Sequence, residues 1–178
     1  MAGDQPFVLD LSVAGEQQVL RGFSRFTDGV KDMSPALSQI AEEFFGRIMP
    51  AQFESQGAYG AGGWAPLSPA YAAWKEANYP GRPILVLSGL MKESLTGGGN
   101  AYTIKQIAPL RLEVGTRISY ALKHQQGGGR VPQRKIISLT EADKMTFSKS
   151  LQAYLVSIAQ RAWVPSEAQT VEWLASTV

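Results

Sequence analysis

Between Ser34 and Pro50 the chain sets Leu37, Ile40, Ala41, Phe44, Phe45 and Ile48 at spacings of three and four residues. That pattern specifies an amphipathic helix with one face taken out of water. Ser34-Pro35 marks its start: a hydroxyl that caps a free amide, then a proline whose missing N–H costs nothing there. Pro50 is expected to end or kink it, because proline disfavours helical backbone in the residue before it. Burying the large side chains of this stripe contributes on the order of 10 kcal/mol before chain entropy is subtracted. A chain with this helix must build a core around it.

The flanking sequence supplies partners for that core. Phe7 to Val13 alternates apolar and polar residues and reads as a half-buried strand. A helix follows from Ala14-Gly15 to about Phe26, with Val19, Leu20, Phe23 and Phe26 as its apolar stripe and Gly29 near its end. Gln52 to Pro66 reads as a long connection rich in Gly and Ala. Ser68-Pro69 repeats the cap-plus-proline signal and opens a short helix to about Ala77, with Tyr71 and Trp74 on one face. Ile84 to Leu87 reads as a brief extended run, and Ser88 as the cap of another short helix reaching Leu95.

Tyr102–Ile107 and Leu110–Gly115 then form an antiparallel pair, followed by a short helix or turn over Tyr120–Gln125 and a mobile loop at Gly127–Gly129. Arg134–Leu139 reads as a last strand. Thr140 opens the final helix, with Asp143 placed three residues on as in a capping box. Its stripe is Leu151, Tyr154, Leu155, Ile158, Ala159 and Ala162, and Pro165 closes it. The predicted fold is α+β: a single domain over residues 1–164, a small antiparallel sheet packed against two long amphipathic helices, with extended Gly-rich loops. Residues 165–178, bearing Val171, Trp173 and Leu174, are a tail that docks on the domain or on a partner.

The chemistry is sparse. The 178 residues include no cysteine, which excludes disulfides, Cys-ligated zinc and thiol nucleophiles. His124 is the only histidine, so zinc or acyl-transfer chemistry lacks partners, and a structural role is the plain reading. The triple-glycine runs lack the Lys-Ser/Thr of a phosphate loop, and Glu42 and Glu43 diverge on their helix. No catalytic residue, metal site or cofactor is expected. A net charge of +2 is too small to drive nucleic-acid binding by itself, although the basic run from Arg130 to Lys135 keeps a nucleic-acid-binding module as the alternative. The first residues lack the pattern of a secretory leader. The uncharged stretch Ser55–Trp74 is too rich in Gly, Pro, Ser and Gln to span a membrane.

Three blocks together resemble the phage virion morphogenesis or tail completion family of Mu- and P2-type phages. The first is Gly63-Trp64-Ala65-Pro66-Leu67-Ser68-Pro69 with Tyr71 and Lys75. The second is Ile84-Leu85-Val86-Leu87-Ser88-Gly89-Leu90 with Ser94. The third is Tyr120-Ala121, His124-Gln125 and the glycines, then Pro132, Arg134, Leu139-Thr140 and Asp143. The sequence departs from the family at Lys135-Ile136-Ile137, where aromatic residues are common.

The resemblance implies a non-enzymatic structural protein at the junction of head and tail, a tail completion, stopper or terminator component. It implies a ring, typically hexameric, around the DNA channel. The implied partners are further copies of the chain, the adjacent portal-side ring, and tail tube or terminator proteins, with DNA passing through without sequence-specific binding. The protein would be assembled in the host cytoplasm and reside in the virion. On this reading the subunit and partner contacts are expected at Trp64, Pro66, Leu67, Tyr71, His124, Gln125, Gly128, Arg130, Pro132, Arg134 and Trp173.

Overall fold

A computed structural model describes residues 16–97 and 99–163. The expected strand at Phe7–Val13, the boundary at residues 164–165 and the tail with Trp173 lie outside the described residues. The chain divides into two compact units. Of the described residues, 16–30 and 156–163 belong to the smaller, and those within Lys31–Leu155 to the larger.

In the larger unit, α2 (Ser34–Glu43) begins where the cap signal places it, with Pro35 in its first turn. The cap itself differs from expectation. Ser34 is already helical, and its N–H and hydroxyl both donate to the Asp32 carboxylate, at 3.0 and 2.5 Å. Pro50 does not end the rod. The backbone widens to a π turn over Phe44–Ile48, where the Met49 N–H reaches back to the Phe44 carbonyl, and helix continues as α3 (Met49–Glu54). Pro50 thus falls in the first turn of α3, a position that tolerates its missing donor. Ile40, Phe44, Phe45, Ile48, Met49 and Phe53 are all buried along the rod.

The expected long connection after the rod is folded. Helix persists to Glu54, and α4 (Ala58–Ala61) follows. Gln52, fully buried, holds this turn: its Oε1 accepts from Gly60 N–H at 3.0 Å, and its Nε2 donates to the Lys135 carbonyl at 3.0 Å. Gly57 has φ +86°, and a Cβ there would sit 2.4 Å from the Trp64 ring. Trp64 is therefore stacked directly on the bare glycine backbone, edge-on to Phe53 at 5.4 Å between centroids.

Helix α5 (Pro69–Asn78) is capped as its sequence says, the Ser68 hydroxyl accepting from Tyr71 N–H. Ile84–Leu87, expected to be extended, is instead a turn. Leu85 takes φ +62°, and Val86 N–H closes on the Pro83 carbonyl at 3.1 Å. Ser88 lies one residue further out than expected, because Gly89 is the cap of α6 (Leu90–Leu95). The Ser88 hydroxyl still accepts from Leu90 N–H, at 3.3 Å.

Strands β1 (Thr103–Ala108) and β2 (Arg111–Thr116) form the expected antiparallel pair, running from Thr103 opposite Thr116 to Ala108 opposite Arg111. The hairpin packs on α2 and α6, and its Pro109 carbonyl accepts from Met33 N–H at 2.7 Å, fixing the start of the rod. The fold is α+β.

Helix α7 (Ser119–Gln126) leads to a tight reversal in which Gly128 and Val131 exchange both backbone hydrogen bonds. The loop expected to be mobile is closed at that point. Arg134–Leu139 is not a strand. Its backbone groups are met by side chains: Gln125 Oε1 accepts from Ile136 and Ile137 N–H, Gln125 Nε2 donates to the Ile137 carbonyl, and Gln52 and Trp64 donate to the Lys135 carbonyl. A buried extended segment needs partners, and these need not be another strand. Helix α8 (Glu141–Ala162) then starts with the predicted reciprocal cap, Asp143 N–H donating to the Thr140 hydroxyl while Asp143 Oδ2 accepts from Thr140 N–H.

The core of this unit joins the rod to Trp64, Val86, Met91, Leu95, Ile118 and Ile136. In the smaller unit, α1 (Glu16–Val30) outlasts its expected end at Gly29. Its stripe is not buried: Val19, Leu20 and Phe23 are 48%, 60% and 55% exposed. Phe23 meets Trp163 edge-on at 5.4 Å, and Gly22 abuts the same indole.

Candidate functional site

The three sequence blocks converge on one groove of about 760 Å³ in the larger unit. One wall comes from the start of α5: Pro66, Leu67, Ser68, Tyr71 and Lys75. The floor is the turn and cap from Leu85 to Gly89, with Met91 beneath. Tyr120 and His124 of α7, the reversal Arg130–Pro132 and Arg134 form the opposite wall. The strained turn at Leu85 is what lets the floor bend between the two walls.

Four basic side chains line this groove in different ways. Arg134 is 5% exposed, its Nε and Nη2 donating to the carbonyls of Ala65 at 2.7 Å and Pro66 at 2.8 Å. It thereby ties the third block to the first. Lys75 is 4% exposed, with its Nζ donating to the Pro83 carbonyl at 2.6 Å. Burial lowers the pKa of both side chains, for Lys75 with a further contribution from Arg82. His124 is half-buried, and its pKa is also lowered, by burial and then by the charge of Arg134. Its Nδ1 is, among the described residues, the one buried side-chain nitrogen or oxygen without a hydrogen-bond partner. Arg130 is exposed at the rim. Among the described residues no carboxylate lines the groove.

The structure brings together seven of the residues expected from the sequence: Pro66, Leu67, Tyr71, His124, Arg130, Pro132 and Arg134 all line the groove. Trp64 does not. It is 6% exposed, and its Nε1 donates to the Lys135 carbonyl at 2.9 Å, so it supports the first wall from behind. Gln125 likewise sits behind the second wall, holding Ile136 and Ile137, while Gly128 belongs to the reversal beside Arg130. Because Arg134 is turned inward, Arg130 and Lys135 are the exposed cations of the basic run.

A second polar cluster lies apart from the groove. The fully buried Asp143 accepts from Arg47 Nη2 at 2.8 Å, Tyr59 hydroxyl at 2.6 Å and the Thr140 hydroxyl at 2.7 Å, and Arg47 also pairs with Glu43. Burial alone would raise the carboxyl pKa; the hydrogen bonds from Tyr59, Thr140 and Arg47 outweigh it and hold the value at about 2. The Tyr59 hydroxyl is pushed up by burial and by its bond to Asp143. All of these bonds serve to fasten the rod and α4 to the start of α8. The sequence marked Asp143 as a cap and as the end of the third block; neither Arg47 nor Tyr59 carried a signal, since their bonds to Asp143 span 96 and 84 residues.

Among the described residues no group of three or more His, Cys, Asp or Glu is placed to hold a metal ion. No described helix is long and apolar enough to cross a membrane. The groove presents apolar and aromatic surface with cations set into it, an arrangement suited to holding a segment of another molecule.

The sequence profile of the phage virion morphogenesis family matches residues 14–171, and the chain belongs to that family. Its role is that of a structural component of a bacteriophage virion. No curated protein and no solved structure matches the chain.

Proposed function

We propose that this protein completes the phage tail by forming a ring, hexameric in the simplest case, that joins tail to head around the DNA channel. The single observation that carries the reading is the convergence of three family blocks on one groove that has the lining of a docking site. A closed ring requires each subunit to offer two different surfaces, one to each neighbour. A recessed groove with apolar walls and embedded charge is a suitable half of such a contact. A channel through which DNA slides is better served by weak phosphate contacts than by strong ones, and the inward engagement of Arg134 with Ala65 and Pro66 fits that requirement.

The test is imaging of virions together with loss of the gene product. The expected result is a ring of this chain at the head–tail junction, and an accumulation of filled heads and separate tails when the protein is missing. Normal yields of joined, infectious particles in its absence would overturn the reading, as would its location elsewhere in the virion.

A further inference from the structure

We infer that the groove is the seat of the acidic, aromatic segment Ser166–Val178 of a second copy of this chain. The inference rests on the ring reading, which requires a heterologous contact, and it names both halves of that contact.

The groove defines its occupant by charge. Lys75 and Arg134 are almost fully buried, and among the described residues neither forms an ion pair; the hydrogen bonds they make go to backbone carbonyls. A buried cation without a counter-ion is costly, and a carboxylate delivered from outside offsets that cost. Arg130 at the rim extends the positive lining, and the Nδ1 of His124 has no partner. Tyr71 and Tyr120, each 42% exposed, offer aromatic faces at the mouth. The matching ligand is a carboxylate flanked by large apolar groups and free of cations.

Two stretches of this chain outside the described residues carry carboxylates without any Lys or Arg: residues 1–15, with Asp4 and Asp10, and residues 164–178, with Glu167 and Glu172. The first alternates apolar and polar side chains from Phe7 to Val13, a pattern that calls for a strand ladder. The groove is lined by no residue of β1 or β2, so it offers no such edge. The second places Glu172 between Val171 and Trp173-Leu174, setting an acid among bulky apolar groups. The groove volume lies within the roughly 300–1,000 Å³ range of sites that enclose a compact ligand, enough for a few side chains of an extended segment.

The experiment uses the full-length chain with Trp173→p-benzoylphenylalanine, mixing isotopically light and heavy copies before illumination. The expected products are light–heavy cross-links from position 173 to peptides carrying Tyr71, Leu87, Tyr120 or Pro132. Arg130→Glu, at the exposed rim, and Glu172→Lys should each cut that yield about fivefold, the scale of one partly exposed charge pair. Combining the two should restore it. Cross-links confined to single copies, cross-links outside the groove, an absence of cross-links, or a double variant no better than the singles would each overturn the inference. A ring seen in virions whose chains give no groove cross-links sinks this proposal and leaves the ring reading standing. Groove cross-links between copies of a chain that virions lack would sustain the contact and sink the ring.

Discussion

Two helices of this protein carry apolar stripes of the same period and meet opposite fates. Along the rod of α2, the π turn and α3, Ile40, Phe44, Ile48 and Phe53 are all less than one-tenth exposed. Along α1, Val19, Leu20 and Phe23 are each about half exposed or more. Periodicity states which face of a helix is apolar; it does not state what will cover that face. The rod is covered because three devices bring other parts of the larger unit onto it: Trp64 seated on Gly57 and bound to residue 135, Gln52 bound to residues 60 and 135, and Asp143 bound to Arg47 and Tyr59. Exposed apolar area of the kind on α1 is a common mark of a contact surface.

The contrast can be broken by direct measurement. Phe44→Ala, in the covered face, should lose about 3–5 kcal/mol of unfolding free energy in a denaturant titration, the transfer term plus a cavity. Asp143→Asn should lose about 2 kcal/mol, the equivalent of its depressed pKa. The sign is fixed by that depression. The contribution of Asp143 is fully present above the ordinary carboxyl value of 3.8 and disappears as pH falls toward about 2. Wild-type stability followed down through that window should therefore converge on that of the Asn variant; parallel curves would mean that the hydrogen bonds do not discriminate between the charged and neutral acid.

A smaller loss, roughly 1–3 kcal/mol, is expected for Gly57→Ala, where a methyl group meets the Trp64 ring and the backbone is left-handed. Its diagnostic is a change in the environment of Trp64 in near-ultraviolet dichroism. The least effect belongs to Leu20→Ser on α1, about 0.5 kcal/mol or less for a side chain that is already exposed. A loss there as large as that of Phe44→Ala would mean that the two stripes are equally covered in solution, and the comparison would fail.

Much of the local structure was legible in the sequence. The rod, the Ser68 cap, the β1–β2 hairpin and the reciprocal bonds of Thr140 and Asp143 depend on neighbours within a few residues, and short patterns encode them. The two segments misread, Ile84–Leu87 as an extended run and Arg134–Leu139 as a strand, share a different cause. An apolar run indicates burial, but its backbone conformation depends on who supplies the hydrogen bonds. In the first, a left-handed Leu85 makes a turn; in the second, the carboxamides of Gln125 and Gln52 take the place of a neighbouring strand. The groove was legible only as separate blocks. Lys75 read as a trailing lysine, and its burial against the Pro83 carbonyl depends on a bend that no spacing announces.

The π turn in the rod has a bearing on how this chain tolerates change in length. A π turn accommodates one more residue than the α-helix it interrupts while keeping the faces before and after it aligned. Loss of one residue between Phe44 and Ile48 would therefore restore an ordinary helix with its apolar face intact, and would also strand Pro50 in the interior of that helix, where its ring collides with the carbonyl four residues back. The extra residue and the proline are thus a matched pair. A homologue lacking one should lack the other, which makes a gap in this segment and the residue at position 50 a covarying pair rather than two independent facts.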